Sequence, residues 1–120
     1  MAIALFSTMA IAQDSEPLYL IFEFMHVDEG QGNAYAETEA FWEKVHAQRV
    51  KNGDCIGWDL WRLEPNGQKQ GAQFMTVSLY NDPVKMMTGG DFNKAWTDAY
   101  PNLTDSESNA KMEMTAKSRD

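Results

Sequence analysis

The chain has 120 residues, a formal net charge of −8 and one cysteine, Cys55. This length is enough for one domain and no more. The acidic balance argues against a nucleic-acid partner and against an anionic membrane surface, because phosphates repel carboxylates. A lone cysteine excludes an internal disulfide. We interpret Cys55 as a small buried apolar residue, with an intermolecular bridge as the alternative.

The first twelve residues, MAIALFSTMAIA, are uncharged and end in the small-x-small pattern Ala10-Ile11-Ala12. This pattern predicts a signal peptide remnant over residues 1–12, too short to span a bilayer, which takes about 20 apolar residues. We therefore expect a periplasmic or secreted bacterial protein whose single domain covers residues 18–120. The alternative is an N-terminal arm that is packed or disordered.

The first predicted strand is LYLIFEFMHV, at residues 18–27. One of its faces is apolar, and Glu23 interrupts the other. A helix follows from an N-cap at Asn33 to about Asn52, and Gly53 ends it. Steps of three and four residues predict the buried stripe of this helix, which comprises Tyr35, Thr38, Phe41, Trp42, Val45 and Arg49.

Two further strands are predicted at residues 56–63 and 73–80, and they form a hairpin. Each has one apolar face, which we expect the helices to cover, and one face that mixes polar with aromatic side chains. The rest of the chain is predicted to be helical. A helix starts at Asp82-Pro83, is interrupted at Gly89-Gly90 and resumes at Asp91, and the capping box of Thr104 and Glu107 opens the last helix.

The predicted element order is β-α-β-β-α-α, so the fold class is α+β. It resembles a ferredoxin-like β-α-β-β-α antiparallel sheet with helices on one face, whose final strand is missing. The sequence stops at Asp120 in helix-like residues, which predicts a truncated reading frame, because an unpaired sheet edge is a liability. The alternative is that the last helix closes the fold.

Four segments carry a resemblance to a known superfamily: YLIFEFMHV at 19–27, FWEKVHAQRVKNG at 41–53, GWDLW at 57–61 and FMTVSLY at 74–80. They resemble the dimeric α+β barrel superfamily, and more narrowly small exported proteins of marine and Bacteroidetes-type bacteria. The resemblance implies a homodimer whose two sheets pair through the faces that the helices leave open. The better-known branches of the superfamily are similar to cofactor-independent monooxygenases, haem-degrading enzymes and small stress-response proteins.

Glu23 and Asp59 are the candidate catalytic residues, because strand alternation suggests that both face the cavity of such a dimer. Paired carboxylates in an apolar cavity raise each other's pKa, so one of them would serve as a general base. Its substrate would be phenol-like or enol-like and would lie against Trp61 and Tyr80. The alternative is interfacial hydrogen bonding, or an ion pair with Arg62 or with a lysine of the partner chain.

Trp42, His46 and Arg49 are candidate ligand-binding residues, together with Trp61 and Tyr80. Their helical spacing places an imidazole and an arginine at the edge of a pocket for an anionic substrate. The alternative is helix-to-sheet packing. The histidines show no metal-ligand spacing, so no metal is expected. Since no histidine follows His46, the haem-ligand pattern of the similar enzymes is not met, and no cofactor is expected.

Two functions remain open at this stage. The first is a homodimer that binds a small apolar or aromatic ligand between its sheets. The second is a cofactor-independent monooxygenase or isomerase that acts on a small aromatic substrate, with Glu23 or Asp59 as the base. The first is preferred because no constellation of residues demands catalysis.

Overall fold

The computed structural model describes residues 16–65 and 67–120, which form an α+β structure. Within these ranges lie three strands, β1 (Tyr19–Met25), β2 (Gly57–Arg62) and β3 (Phe74–Tyr80). They also contain four α-helices, α1 (Gly32–Lys51), α2 (Pro83–Thr88), α3 (Phe92–Ala99) and α4 (Asp105–Ser118). The signal peptide predicted over residues 1–12 lies outside the described residues. Among the residues described, none of the helices combines the length and hydropathy that a membrane crossing requires.

The three strands form one antiparallel sheet in the order β1-β3-β2. In β1, Tyr19 lies opposite Tyr80 of the central strand β3. The predicted hairpin of β2 and β3 is confirmed, since these strands pair directly. Just beyond the end of β1, His26 and Asp120 exchange two backbone hydrogen bonds of 2.7 and 2.9 Å, so the end of α4 is held at the sheet.

The helices cover the polar and aromatic face of β1 and β3, so the expectation that they cover the apolar face is wrong. Three residues of β3 on the covered face are almost fully buried, namely Thr76, Ser78 and Tyr80, whereas Glu23 of β1 and Leu60 of β2 on the same face are exposed. Residues of the opposite face, which we call the open face, are between 40% and 61% exposed on β1: Leu20, Phe22 and Phe24. The physical reason is that the buried Arg49 of α1 needs hydrogen-bond partners, and Tyr80 on this face accepts from it.

The side chains of β2 alternate in the opposite sense to the expected grouping. Trp58 lies opposite Ser78, so Trp58 shares the covered face. Asp59 and Trp61 lie opposite Val77 and Met75, which places both of them on the open face. The register therefore separates Asp59 and Trp61 from the polar groups of β1 and β3.

The apolar core lies mainly between helices rather than between helices and sheet. Its main cluster joins α1 to α3 through Phe41, Trp42, Val45 and Ala95. The predicted stripe of α1 is confirmed, because all six of its residues are buried. A second, smaller cluster comprises Met25, Val27 and Tyr35, with Phe74 packed against it.

Local chemistry accounts for the helix ends. Asp82 and Asp91 cap α2 and α3 by accepting backbone hydrogen bonds, and the capping box of Thr104 and Glu107 opens α4, as predicted. For α1 the predicted N-cap Asn33 is wrong, since the helix begins at Gly32 after Gln31 without any side-chain cap.

Gly89 and Gly90 separate α2 from α3, as their position in the sequence predicts. Both have positive φ angles, 76° and 72°, which glycine adopts without strain. A Cβ atom on Gly90 would also clash with the carboxylate of Asp54. This turn directs the chain from α2, beside the sheet, to α3, beside α1.

Candidate functional site

A cavity of about 380 Å³ lies between α1, α2 and the covered face of the sheet. We call it the helix–sheet groove. The sheet contributes Ile21, Glu23, Ser78 and Tyr80 to its lining, and α1 contributes Trp42, His46 and Arg49. The remaining walls come from α2 and the turn after it, from Phe92 and from Arg119. Apolar walls with a few convergent polar groups are typical of small-molecule sites.

The groove contains five of the seven predicted site residues: Glu23, Trp42, His46, Arg49 and Tyr80. The other two, Asp59 and Trp61, belong to the open face, where Trp61 is 55% exposed. Glu23 and Asp59 therefore extend from opposite faces of the sheet, and the expectation that they form one carboxylate pair is not met.

Arg49 is the central polar residue of the groove, although its side chain is only 4% exposed. Its Nη2 donates to the Tyr80 hydroxyl at 2.7 Å and to the Gly89 carbonyl at 3.3 Å. Its Nη1 donates to Nδ1 of His46 at 3.1 Å. The rings of Tyr80 and Phe92 lie 5.8 and 5.5 Å from the guanidinium carbon, within cation–π range.

His46 is held as a neutral imidazole with a defined tautomer. Because arginine can only donate, Nδ1 of His46 accepts from Arg49 and its proton resides on Nε2. Burial, together with the positive charges of Arg49 and Arg119, lowers the pKa of His46 to about 3. Its ring also stacks on Trp58 at 4.7 Å. His46 is therefore a hydrogen-bond donor at neutral pH and is poorly suited to act as a base.

Contacts with α4 and the residue after it fix the other end of the groove. The indole N–H of Trp42 donates to the Thr115 hydroxyl at 2.9 Å. Arg119 forms a 2.6 Å ion pair with Glu39, which is 4% exposed. Burial raises the pKa of Glu39, and Arg119 opposes that rise. The positive charge of Arg119 is therefore largely compensated within the protein.

Sequence reasoning missed three of the residues around the groove: Glu39, Phe92 and Arg119. Glu39 follows Tyr35 by one helical turn, so its spacing on α1 was an available signal. Phe92 is the first residue of α3, and an apolar side chain on a short helix is most simply interpreted as a packing residue. No local pattern marks Arg119, because its position depends on how α4 packs against α1.

A second, larger cavity of about 620 Å³ lies between α1 and β2, and its lining includes Asp59 as well as His46, which lines both cavities. Alanines of α1 and the side chains of Trp58 and Leu60 form much of its lining. Its buried carboxylate, Glu39, is already bound to Arg119. We place the candidate site in the smaller helix–sheet groove, because the groove contains a buried cation whose hydrogen-bond acceptors are all uncharged.

Within the described residues, no three side chains of His, Cys, Asp or Glu gather closely enough to hold a metal ion. Neither protein-family models nor curated proteins nor solved structures give a match to this chain. The function is therefore argued from the groove and from the two faces of the sheet.

Proposed function

We propose that this chain is a small exported α+β protein that binds a small aromatic ligand in the helix–sheet groove and forms a homodimer through its open face. The observation that carries the binding function is the groove itself, where Trp42 and Phe92 stand beside the buried Arg49. Aromatic side chains beside a few fixed polar and charged groups bind a flat molecule and fix its orientation. The export of the protein is proposed from the apolar pattern at residues 1–12.

The open face supports the homodimer. Large apolar side chains on it are between 40% and 61% exposed: Leu20, Phe22, Phe24 and Trp61. Contiguous apolar surface of this kind usually marks a contact surface. The strand order β1-β3-β2 is compatible with a ferredoxin-like sheet, and sheets of that kind pair face to face in the superfamily that the sequence resembles.

The ligand function is tested by titrating the purified protein with 2-naphthol and recording amide and indole N–H signals by NMR. We expect the largest shifts at Trp42, His46 and Arg49. Shifts confined to Leu20, Phe22 and Phe24 would indicate nonspecific adsorption to the open face and would contradict the proposal, as would the absence of any shift.

Two adjacent residues of β1 offer a matched pair of variants for this test. Ile21 lines the groove, whereas Leu20 lies on the opposite face. Ile21→Trp fills the groove and is expected to abolish naphthol binding, while Leu20→Trp adds the same bulk outside it and is expected to preserve binding. Equal affinities in the two variants would place the ligand elsewhere.

A second candidate function is a cofactor-independent monooxygenase or isomerase with Glu23 as its base. This candidate is favoured by the position of Glu23, whose carboxylate lies in the groove and accepts a 3.2 Å hydrogen bond from Thr76. The test is oxygen consumption with a small hydroquinone. Loss of turnover in Glu23→Gln, with turnover preserved in Asp59→Asn, would support this function, and absence of turnover in the unmodified protein would rule it out for that substrate.

A further inference from the structure

Arg49 is a buried cation whose charge the protein does not neutralise. All three of its hydrogen-bond acceptors are uncharged: a tyrosine hydroxyl, an imidazole nitrogen and a peptide carbonyl. None of the ion pairs formed by the described residues involves Arg49. A buried charge is costly unless an opposite charge or a set of strong hydrogen bonds compensates it. This arrangement therefore favours an anion that comes from outside the chain.

The donors of Arg49 indicate how many hydrogen bonds such an anion can form. A guanidinium has five N–H donors, and three of them are engaged by His46, Tyr80 and Gly89. The Nε atom has no acceptor among the described residues, although it is buried. The two unused donors, Nε–H and one Nη1–H, lie on different edges of the guanidinium, so a carboxylate that binds Arg49 accepts one charge-assisted hydrogen bond from it rather than two.

The other polar groups of the groove are compatible with a single negative charge. Arg119 is already paired with Glu39, so it adds little net positive charge. His46 is neutral and has its Nε2 proton available for donation. Glu23, the carboxylate in the lining, accepts a hydrogen bond from Thr76. One uncompensated cation and these neighbours match a monoanion better than a multiply charged phosphate.

We propose that the ligand of the helix–sheet groove is an aromatic carboxylate whose carboxylate group binds Arg49. This inference rests on the proposed ligand-binding function and names the chemical class of the ligand. The aromatic part, of one or two rings, lies against Trp42 and Phe92, which both line the groove. The hydrogen bonds of Arg49 to Tyr80 and His46 hold the guanidinium in place before the ligand arrives, which reduces the ordering cost of binding.

The test compares 2-naphthoate with its neutral analogue 2-naphthamide by isothermal titration calorimetry at pH 7 and low salt. We expect the unmodified protein to bind naphthoate about tenfold or more tightly than the amide, because hydrogen bonds to charged groups are the stronger ones. Equal affinities for the two compounds would overturn the carboxylate assignment while leaving the aromatic ligand function intact. Failure of both compounds to bind would contradict the ligand function itself.

Variants then assign the preference to a residue. Arg49→Gln is expected to remove the preference for naphthoate, and Arg49→Lys to retain part of it. Arg62→Gln removes the same charge from the exposed part of β2 and is expected to keep the preference. Glu23→Gln is expected to strengthen naphthoate binding, because a competing negative charge is lost. Retention of the full preference in Arg49→Gln would overturn the proposal.

A readout on the unmodified protein covers the case in which Arg49→Gln does not fold. The Nε–H signal of Arg49 is observable by NMR, and we expect it to shift on addition of naphthoate but not of naphthamide. A signal that stays in place while naphthoate binds would also overturn the proposal.

Discussion

At the scale of single residues, Arg49 and His46 define each other's chemical state. The hydrogen bond between them fixes the tautomer of the imidazole, and the positive charge of Arg49 adds to burial in lowering its pKa. The pair thus provides donors only, which suits the recognition of an acceptor such as a carboxylate. It also leaves Glu23 as the candidate base in the groove, should the site prove catalytic.

The lowered pKa of His46 predicts a loss of stability in acid. Because the folded pKa, about 3, lies below the ordinary value of 6.5, the unfolded chain takes up this proton first as the pH falls. The resulting loss in the free energy of unfolding is absent above about pH 6.5 and grows as the pH falls toward 3. We expect the unmodified protein to lose about 2 kcal/mol more than His46→Gln between pH 7 and pH 5.

Urea denaturation at each pH measures this difference, with His26→Gln as the control for loss of a histidine elsewhere. Parallel stability profiles for the unmodified protein and His46→Gln would show that His46 takes up its proton equally well in both states, which contradicts the prediction.

The candidate site was predictable where a single element determined it. Trp42, His46 and Arg49 follow from helical spacing, and all three line the groove. The positions of Asp59 and Trp61 were not predictable, because they depend on the register between β2 and β3. Alternation within one strand divides its side chains between two faces, but it does not say which face matches that of a neighbouring strand.

At the scale of elements, α4 is attached to α1 largely through polar contacts. Trp42 donates to Thr115, the hydroxyls of Thr38 and Ser118 lie 3.0 Å apart, and Arg119 follows with its ion pair to Glu39. The helix starts with a complete capping box and carries two acidic residues in its first turn. Its position therefore depends on local hydrogen bonds more than on apolar burial.

The capping box gives a prediction for α4. Thr104→Ala removes the hydroxyl that accepts from the backbone of Glu107, and we expect a loss of about 1 kcal/mol in the free energy of unfolding. Ser106→Ala, an exposed position in the same turn, is the matched control and is expected to change stability by a few tenths of that amount. Urea denaturation measures both, and equal values in the two variants would contradict the prediction.

Helix limits were predictable where a side chain closes the end. Asp82, Asp91 and Thr104 each accept a backbone hydrogen bond at the expected place. The start of α1 was misplaced at Asn33 because no side chain caps that end, so the sequence carries no signal for it.

At the scale of the whole molecule, the sheet presents its apolar face outward and its polar face to the helices. The sequence predicts that each strand has two unlike faces, and the structure agrees. The expectation that the helices cover the apolar face was wrong, because the covered face is set by contacts between α1 and the sheet that alternation within a strand does not reveal. Arg49 finds its partner Tyr80 on the polar face, and no apolar face could supply such a partner.

The open face predicts self-association. We expect the unmodified protein to sediment as a dimer at micromolar concentrations and Phe22→Lys to sediment as a monomer, because burying a lysine in an apolar interface is unfavourable. Val84→Lys, on the exposed side of α2, is the control and is expected to remain dimeric. Analytical ultracentrifugation measures all three. An unmodified protein that stays monomeric across the concentration range would contradict the prediction.

The two faces of the sheet also differ in the solvent exposure of their tryptophans, which fluorescence can measure. Trp42, 8% exposed, lines the groove, whereas Trp61, 55% exposed, stands on the open face. Indole fluorescence moves to longer wavelengths in contact with water, so the two side chains should emit at different wavelengths. With Trp58 and Trp96 replaced by phenylalanine as well, a variant that keeps only Trp42 or only Trp61 would carry a built-in optical sensor for events on one surface, without any attached dye.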